Sequence, residues 1–193
     1  GLSLPGVYAM IMRAFGSGFA DGIVTSLDLS NKLMQAPLGV FGQSLAIAAF
    51  PALSQFFAQN DMAKYRAQLV STLRMTMYLS VPVAMLFGVL APDVITALLS
   101  YGKFRSSDPS SVIICLQLFA IGIPAWCLHP TLMRAYFAMQ QSVRPILLGT
   151  LTTAVFVGLC FGLMALGMGY QALPLASSLA AIFLAIIMLT ALH

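Results

Sequence analysis

The chain has 193 residues, of which 60% are hydrophobic and only 7% are charged, and its mean hydropathy is +0.96. Soluble domains carry about 25% charged residues, so this composition excludes an ordinary soluble protein and indicates an integral membrane protein. The formal net charge of +4 is small and dispersed, with no basic patch interleaved with aromatic residues, which disfavours nucleic acid as a partner.

The apolar runs show helical periodicity and are much longer than the roughly 9–11 residues of a membrane barrel strand. We therefore predict an all-α integral membrane protein with six transmembrane helices in one helical lobe, residues 1–193. The predicted spans are 2–19, 22–57, 69–90, 111–139, 146–166 and 172–193.

The first two spans are separated by a glycine-rich break at residues 16–22. At about 1.5 Å per residue the second span would be about 54 Å long, against about 30 Å for the hydrocarbon core. It must protrude, tilt or bend, and Pro37 and Pro51 are the expected bending points because each lacks a backbone donor.

One face of this second helix is polar. On a 3.6-residue period Asp28, Lys32, Gln35, Gly39 and Gln43 fall along it, and the larger apolar residues are expected elsewhere: Leu33, Val40, Phe41, Ile47 and Phe50. A charge in the hydrocarbon costs roughly 2.5–3.5 kcal/mol on insertion scales, so such residues face a bundle interior or a water-filled cavity. This pattern predicts a helix that lines a polar cavity, as in a transporter.

The later connections carry turn and breaker residues. After the span at 69–90 we expect a short helix at 91–100 that follows Pro92, then a turn-rich loop. The span at 111–139 is expected to bend at Pro124 or Pro130, and a tight uncharged turn separates the last two spans.

Basic residues in the connections predict the orientation. The connections after the second and fourth spans go to the cytoplasm, and those after the third and fifth go outside. The cytoplasmic set is Lys64, Arg66, Arg74, Arg134 and Arg144. Both ends of the chain lie in apolar runs, so we expect a piece of a longer protein that is cut at both ends.

Residues that could support redox, metal or proton-transfer chemistry are more simply interpreted as packing residues. We expect the three cysteines to be packing residues: Cys115, Cys127 and Cys160. His129 has no placed partner for proton transfer, and Gly158 with Gly162 predicts close helix packing within the lobe. A membrane enzyme would need clustered carboxylates, but the five acidic residues are scattered: Asp21, Asp28, Asp61, Asp93 and Asp108.

Three stretches carry a resemblance to a known family: LMQAPLGVFGQSLAIAAFPALS at 33–54, YGKF at 101–104 and RAYFAMQQSVRP at 134–145. They resemble the MurJ (also called MviN) family of lipid II flippases. Residues 33–54, LMQAPLGVFGQSLAIAAFPALS, are similar to a family helix with the pattern P-x-G-v-x-G followed by proline and leucine-serine. The YGKF of residues 101–104 looks like the loop after the family's ninth helix, and RAYFAMQQSVRP at 134–145 looks like the end of its tenth. Together they cover nearly the whole chain as helices seven to twelve of fourteen.

The resemblance implies most of the second lobe of a MOP-type transporter fold, in a multi-pass protein of the bacterial cytoplasmic membrane. It implies flipping of the undecaprenyl-linked peptidoglycan precursor by alternating access, with membrane lipids and the first lobe as partners. A multidrug exporter or a flippase for another lipid-linked polysaccharide is the alternative within the same fold. A membrane enzyme or a non-transporting scaffold represents a different class.

The resemblance also implies a site. The family's essential cavity arginine, usually preceded by an acidic residue, corresponds to Lys32, preceded by Asn31. Lys32 would face the substrate pyrophosphate; the alternatives are a snorkelling anchor or a partner of Asp28. Arg13 either faces the cavity or pairs with Asp21 or Asp28. The proposed substrate-binding set is Arg13, Asp28, Asn31, Lys32, Gln35 and Gln43, with no catalytic residue, metal or cofactor.

Some members of this family bind sodium at a site that is formed partly by residues of helix eleven, so the resemblance raises the question of a sodium site here. The corresponding stretch around Phe156 and Cys160 is apolar here, which disfavours sodium coupling by that route.

Overall fold

The computed structural model describes residues 10, 11, 13, 22–101 and 109–192, and all regular structure within these residues is helical. The α-helices in chain order are α1 Ile23–Pro37, α2 Ser44–Ala58, α3 Met62–Tyr101, α4 Pro109–Ala120, α5 Ile123–Ala138, α6 Val143–Ala165 and α7 Ala172–Ala191. A π-helical segment, Leu38–Gln43, joins α1 to α2, and a 3₁₀ turn, Gly169–Gln171, precedes α7.

Helix α5 lies at the centre of the bundle, in contact with α2, α3, α7 and the π segment. Most of its side chains are buried, as are most of those of α7. Both helices are apolar on nearly every face, which is the pattern expected of helices enclosed by others. The other helices bury one side only and leave the opposite side open.

Polar side chains hold the helices together at a few points. Ser30 of α1 donates to the Val112 carbonyl of α4 at 3.0 Å, and Tyr136 of α5 donates to the Met188 carbonyl of α7 at 2.9 Å. Both donors are buried, where a hydrogen bond is not weakened by competition with water.

The first long helix changes its pitch directly after Pro37. Pro37 has no N–H for the Leu33 carbonyl, and the six residues that follow form π turns. The other expected bending point, Pro51, lies inside the continuous helix α2, so only the first proline marks a break in helix type.

The prediction of a separate helix at 91–100 is wrong, because these residues belong to α3. Helix α3 continues for 40 residues through Pro82 and Pro92. Pro92 cannot donate to the Gly88 carbonyl four residues earlier, and Gln117 of α4 donates to that carbonyl instead, at 3.1 Å. A side chain from the neighbouring helix therefore replaces the missing backbone donor.

The predicted span at 111–139 is broken at Gly122, two residues before Pro124. The chain direction bends by 48° from α4 to α5 at this break. A Cβ on Gly122 would lie 2.8 Å from Ser178 Oγ and 2.9 Å from its Cα, so the close approach of α7 requires glycine. Helix α5 runs unbroken through Pro130.

Four helical stretches in the described part of the chain are long and apolar enough to cross a membrane: Ile23–Ala58, Met62–Ala97, Val143–Ala165 and Gly169–Ala191. The bent pair α4 and α5 makes a fifth if it counts as one span. The predicted class of an all-α membrane protein is confirmed, and the first predicted span, 2–19, lies outside the described residues except for 10, 11 and 13.

The close packing predicted for Gly158 and Gly162 is not observed within the described part of the chain. A Cβ on either glycine would meet no described residue within 4 Å, and both glycines are exposed. Helix α6 packs on α7, and its buried residues are others, among them Thr152, Phe156 and Cys160.

Candidate functional site

The polar face of α1 is open. Lys32 and Gln35 are exposed and Asn31 is partly exposed, whereas Leu27 and Met34 on the opposite side are buried in the bundle. The helix therefore presents its charged and amide side chains away from the described bundle, as its periodicity predicts, and buries small hydroxyls together with apolar residues.

Arg13 and Asp28 form a two-point ion pair. The Arg13 Nη2 donates to Asp28 Oδ2 at 2.8 Å and its Nε donates to Oδ1 at 3.3 Å. The side chain of Arg13 is 62% exposed and that of Asp28 is 31% exposed. Of the alternatives left open by the sequence, pairing with Asp28 is the one observed; Asp21 lies outside the described residues.

This pair bears on the charge of Lys32. Both Asp28 oxygens accept from Arg13, and no described residue forms an ion pair with the Lys32 ammonium. The proposed i, i+4 pairing of Asp28 with Lys32 is therefore not observed. The exposed ammonium of Lys32 therefore lies one helical turn after the Asp28 carboxylate, whose charge is balanced by Arg13.

Asn31 and Gln35 form the polar surroundings of Lys32. Gln35 Nε2 donates to Asn31 Oδ1 at 3.0 Å, one turn apart on α1. This bond leaves the Asn31 amide nitrogen and the Gln35 carbonyl oxygen available to hydroxyl or amide groups of a ligand.

The π segment extends the polar face to Gln43, whose side chain is exposed. A π turn takes one residue more than an α turn, so it shifts the register of the positions that follow. Val40 and Ile47, predicted on the apolar side, are 62% and 59% exposed. The face is polar along α1 and mixed beyond it.

Two residues that the sequence did not suggest as parts of the site support this segment. The Arg134 guanidinium of α5 donates to the Gln43 carbonyl at 3.2 Å, and a Cβ on Gly42 would lie 3.0 Å from the Cys127 carbonyl oxygen. Proline followed by two glycines is a signal for irregular helix, but the Arg134 contact spans 91 residues and has no local signal.

Within the described part of the chain no group of three or more His, Cys, Asp or Glu side chains could hold a metal ion. Phe156 and Cys160, where the resemblance would place part of a sodium site, are buried in the apolar core. The polar face thus offers cations and amides, which suit an anionic ligand carrying hydrogen-bonding groups.

A family model described as lipid II flippase MurJ matches residues 2–193. This chain belongs to that family. The "Probable lipid II flippase MurJ" of Haemophilus influenzae is 27% identical over 187 residues, which cover 94% of this chain and 36% of that protein. The protein of the same name in Thermotoga maritima is 28% identical over 163 residues, 84% of this chain and 33% of that protein.

A solved structure of a lipid II flippase MurJ in an inward closed conformation has the same fold. It matches with a TM-score of 0.85 at 21% identity, over 98% of this chain and 40% of that chain. This chain therefore has the fold of a part of a MurJ flippase and spans about a third of the length of its curated relatives.

Proposed function

We propose that the full protein to which this chain belongs moves the undecaprenyl-linked peptidoglycan precursor across the bacterial cytoplasmic membrane, for cell-wall synthesis. The observation that carries this proposal is the exposed Lys32 ammonium on the polar face of α1, without an acidic partner in the described residues. Membership of the MurJ family supports the substrate class.

The substrate combines a pyrophosphate, sugars and a long lipid. Lys32 would attract the pyrophosphate as a point charge, since an ammonium binds phosphate without the two-point geometry of arginine. The Arg13 guanidinium, 62% exposed and held by Asp28, would donate its remaining N–H groups to phosphate oxygens. Asn31, Gln35 and Gln43 would hydrogen-bond the sugar and peptide groups, and Asp28 would keep Arg13 in place.

Transport would follow alternating access. A rigid lobe centred on α5 would rock against the first lobe, which the curated relatives are long enough to contain, and the polar face would open to one side of the membrane at a time. The lipid tail would stay in the bilayer. No step breaks a covalent bond, so the proposed protein is a transporter and not an enzyme.

Substitution of Lys32 in the full-length protein tests the site. We expect Lys32→Ala to fail to support growth when the host flippase is depleted, and Lys32→Arg to support it, because arginine keeps the charge. Lys64→Ala is the matched control, since Lys64 is an exposed lysine paired with Asp61 at 2.8 Å and away from the polar face. Normal growth with Lys32→Ala would show that Lys32 is not part of the substrate-binding site.

A transport assay tests the substrate separately. Purified full-length protein in liposomes should move a labelled lipid-linked peptidoglycan precursor between leaflets faster than protein-free liposomes do. Movement of another lipid-linked polysaccharide or of cationic drugs instead would contradict the proposed substrate and leave the family assignment in place.

A further inference from the structure

The open face of α3 carries two arginines near the start of the helix. Arg66, Val70, Arg74 and Tyr78 follow each other at intervals of four residues, so they lie on one side of the helix, and all four are exposed. The opposite side is buried through Tyr65, Leu69, Thr72, Thr76 and Ser80. This open side belongs to a different helix from Lys32.

The two arginines border a shallow groove of about 450 Å³ lined by Arg66, Ala67, Val70, Ser71 and Arg74. No carboxylate in the described residues pairs with either guanidinium. Lys64, two residues before Arg66, differs because it is paired with Asp61 at 2.8 Å, and the Lys64 hydrogen bond lowers the pKa of that carboxyl. The groove therefore holds two positive charges that lack a described counterion.

Beyond the groove the same side of α3 becomes apolar. Tyr78 is 80% exposed, and Met85 and Val89 follow at 66% and 74%. The helical rise separates Tyr78 from Val89 by about 16 Å, close to the thickness of one hydrocarbon leaflet, about 15 Å. Cations, then an amphipathic aromatic ring, then apolar side chains match the order of groups along a phospholipid.

We propose that this side of α3 binds one anionic phospholipid of the membrane. Its phosphate would lie between Arg66 and Arg74, and an acyl chain would run along Tyr78, Met85 and Val89. The predicted orientation puts the arginines on the cytoplasmic side, where anionic headgroups attract basic residues. The groove is separate from the face proposed for the transported substrate.

Native mass spectrometry of the full-length protein tests the proposal, with phosphatidylglycerol and phosphatidylcholine added separately. Wild-type protein should retain phosphatidylglycerol in preference to phosphatidylcholine. Each unpaired basic residue near an anionic surface contributes about fivefold in affinity, so the double variant Arg66→Ala/Arg74→Ala should bind phosphatidylglycerol roughly twenty-five-fold more weakly.

Lys64→Ala is the matched control, since it removes one positive charge from the same end of the same helix and should retain the lipid as wild type does. Equal retention by the double variant, or equal retention of the two lipids by wild type, would overturn the proposal. A photoreactive amino acid at Val70 provides a second measurement in membranes. It should cross-link to phospholipid, and cross-linking to another part of the polypeptide would show that protein covers the groove.

Discussion

The hydroxyl of Tyr65 lies at the contact between α3 and α5, where it donates to the Ala135 carbonyl at 2.8 Å. Tyr65 is 2% exposed and contacts the ring of Phe57 edge-on. The same carbonyl accepts from the Met139 N–H at 3.2 Å, so it keeps one partner if the tyrosine is lost. Sequence alone does not distinguish this residue from Tyr78, thirteen positions later and exposed.

Substitution of Tyr65 by phenylalanine should lower the free energy of unfolding by about 1 kcal/mol, because one buried hydrogen bond is lost and no carbonyl is left without a partner. Thermal unfolding of the purified protein in detergent measures the change. Tyr78→Phe is the control and should leave the melting temperature unchanged. Equal melting temperatures for wild type and Tyr65→Phe would show that the bond contributes nothing.

The environment of Lys32 can be predicted in part from the sequence. The cost of placing Lys32 in lipid predicts that it faces a polar space. The structure shows Lys32 exposed on α1, and the polar space itself stays a prediction. The pattern left three arrangements for Asp28, however, and only the folded chain pairs it with Arg13, fifteen residues earlier.

At the scale of helices, the break between α4 and α5 depends on the contact between Gly122 and Ser178. Ser178 Oγ donates to the Leu118 carbonyl at 2.7 Å, near the end of α4. The serine thus satisfies a carbonyl at the break, and the glycine leaves room for the serine to approach.

Gly122→Ala should destabilise the protein by about 1–3 kcal/mol, since its new methyl group would overlap Ser178 and force α7 away from the break. Gly158→Ala is the matched control on α6, where a methyl group meets no residue that the structure describes within 4 Å. Alanine there should be neutral or stabilising by up to about 1 kcal/mol, because alanine favours helix more than glycine does. Unfolding in detergent compares the two variants, and a Gly122→Ala protein as stable as wild type would contradict the packing argument.

Prolines illustrate what local sequence leaves open at this scale. Pro37 is followed by π turns, whereas Pro51, Pro82, Pro92 and Pro130 all lie within continuous helices. A proline removes one backbone donor wherever it occurs, yet the helix type changes after only one of these five. At Pro92 the Gln117 side chain supplies a replacement donor.

At the scale of the molecule, two turns lie side by side at one end of the bundle. The turn between α2 and α3 and the turn between α5 and α6 border a common cavity of about 580 Å³, which includes Asn60 and Gln140 in its lining. Leu192, just after α7, packs at the same end. The predicted orientation assigned both turns to the cytoplasmic side of the membrane, and the two turns are adjacent in the fold.

Cysteine labelling tests this arrangement in the full-length protein after its native cysteines are replaced. Asn60→Cys and Gln140→Cys should react with a membrane-impermeant maleimide only when the cytoplasmic side is accessible. Leu166→Cys, at the exposed turn between α6 and α7, should react in intact cells. Labelling of Asn60→Cys in intact cells would reverse the orientation.

Composition and periodicity were enough to predict the class of protein and a helix with one polar face that carries Lys32, because both are local properties of the chain. How α3 continues through Pro92, where α4 breaks from α5, and which residue pairs with Asp28 were settled only by helix packing. Each of these depends on a side chain from a distant part of the chain that supplies a hydrogen bond or leaves room for one, and such partners are fixed only when the helices pack.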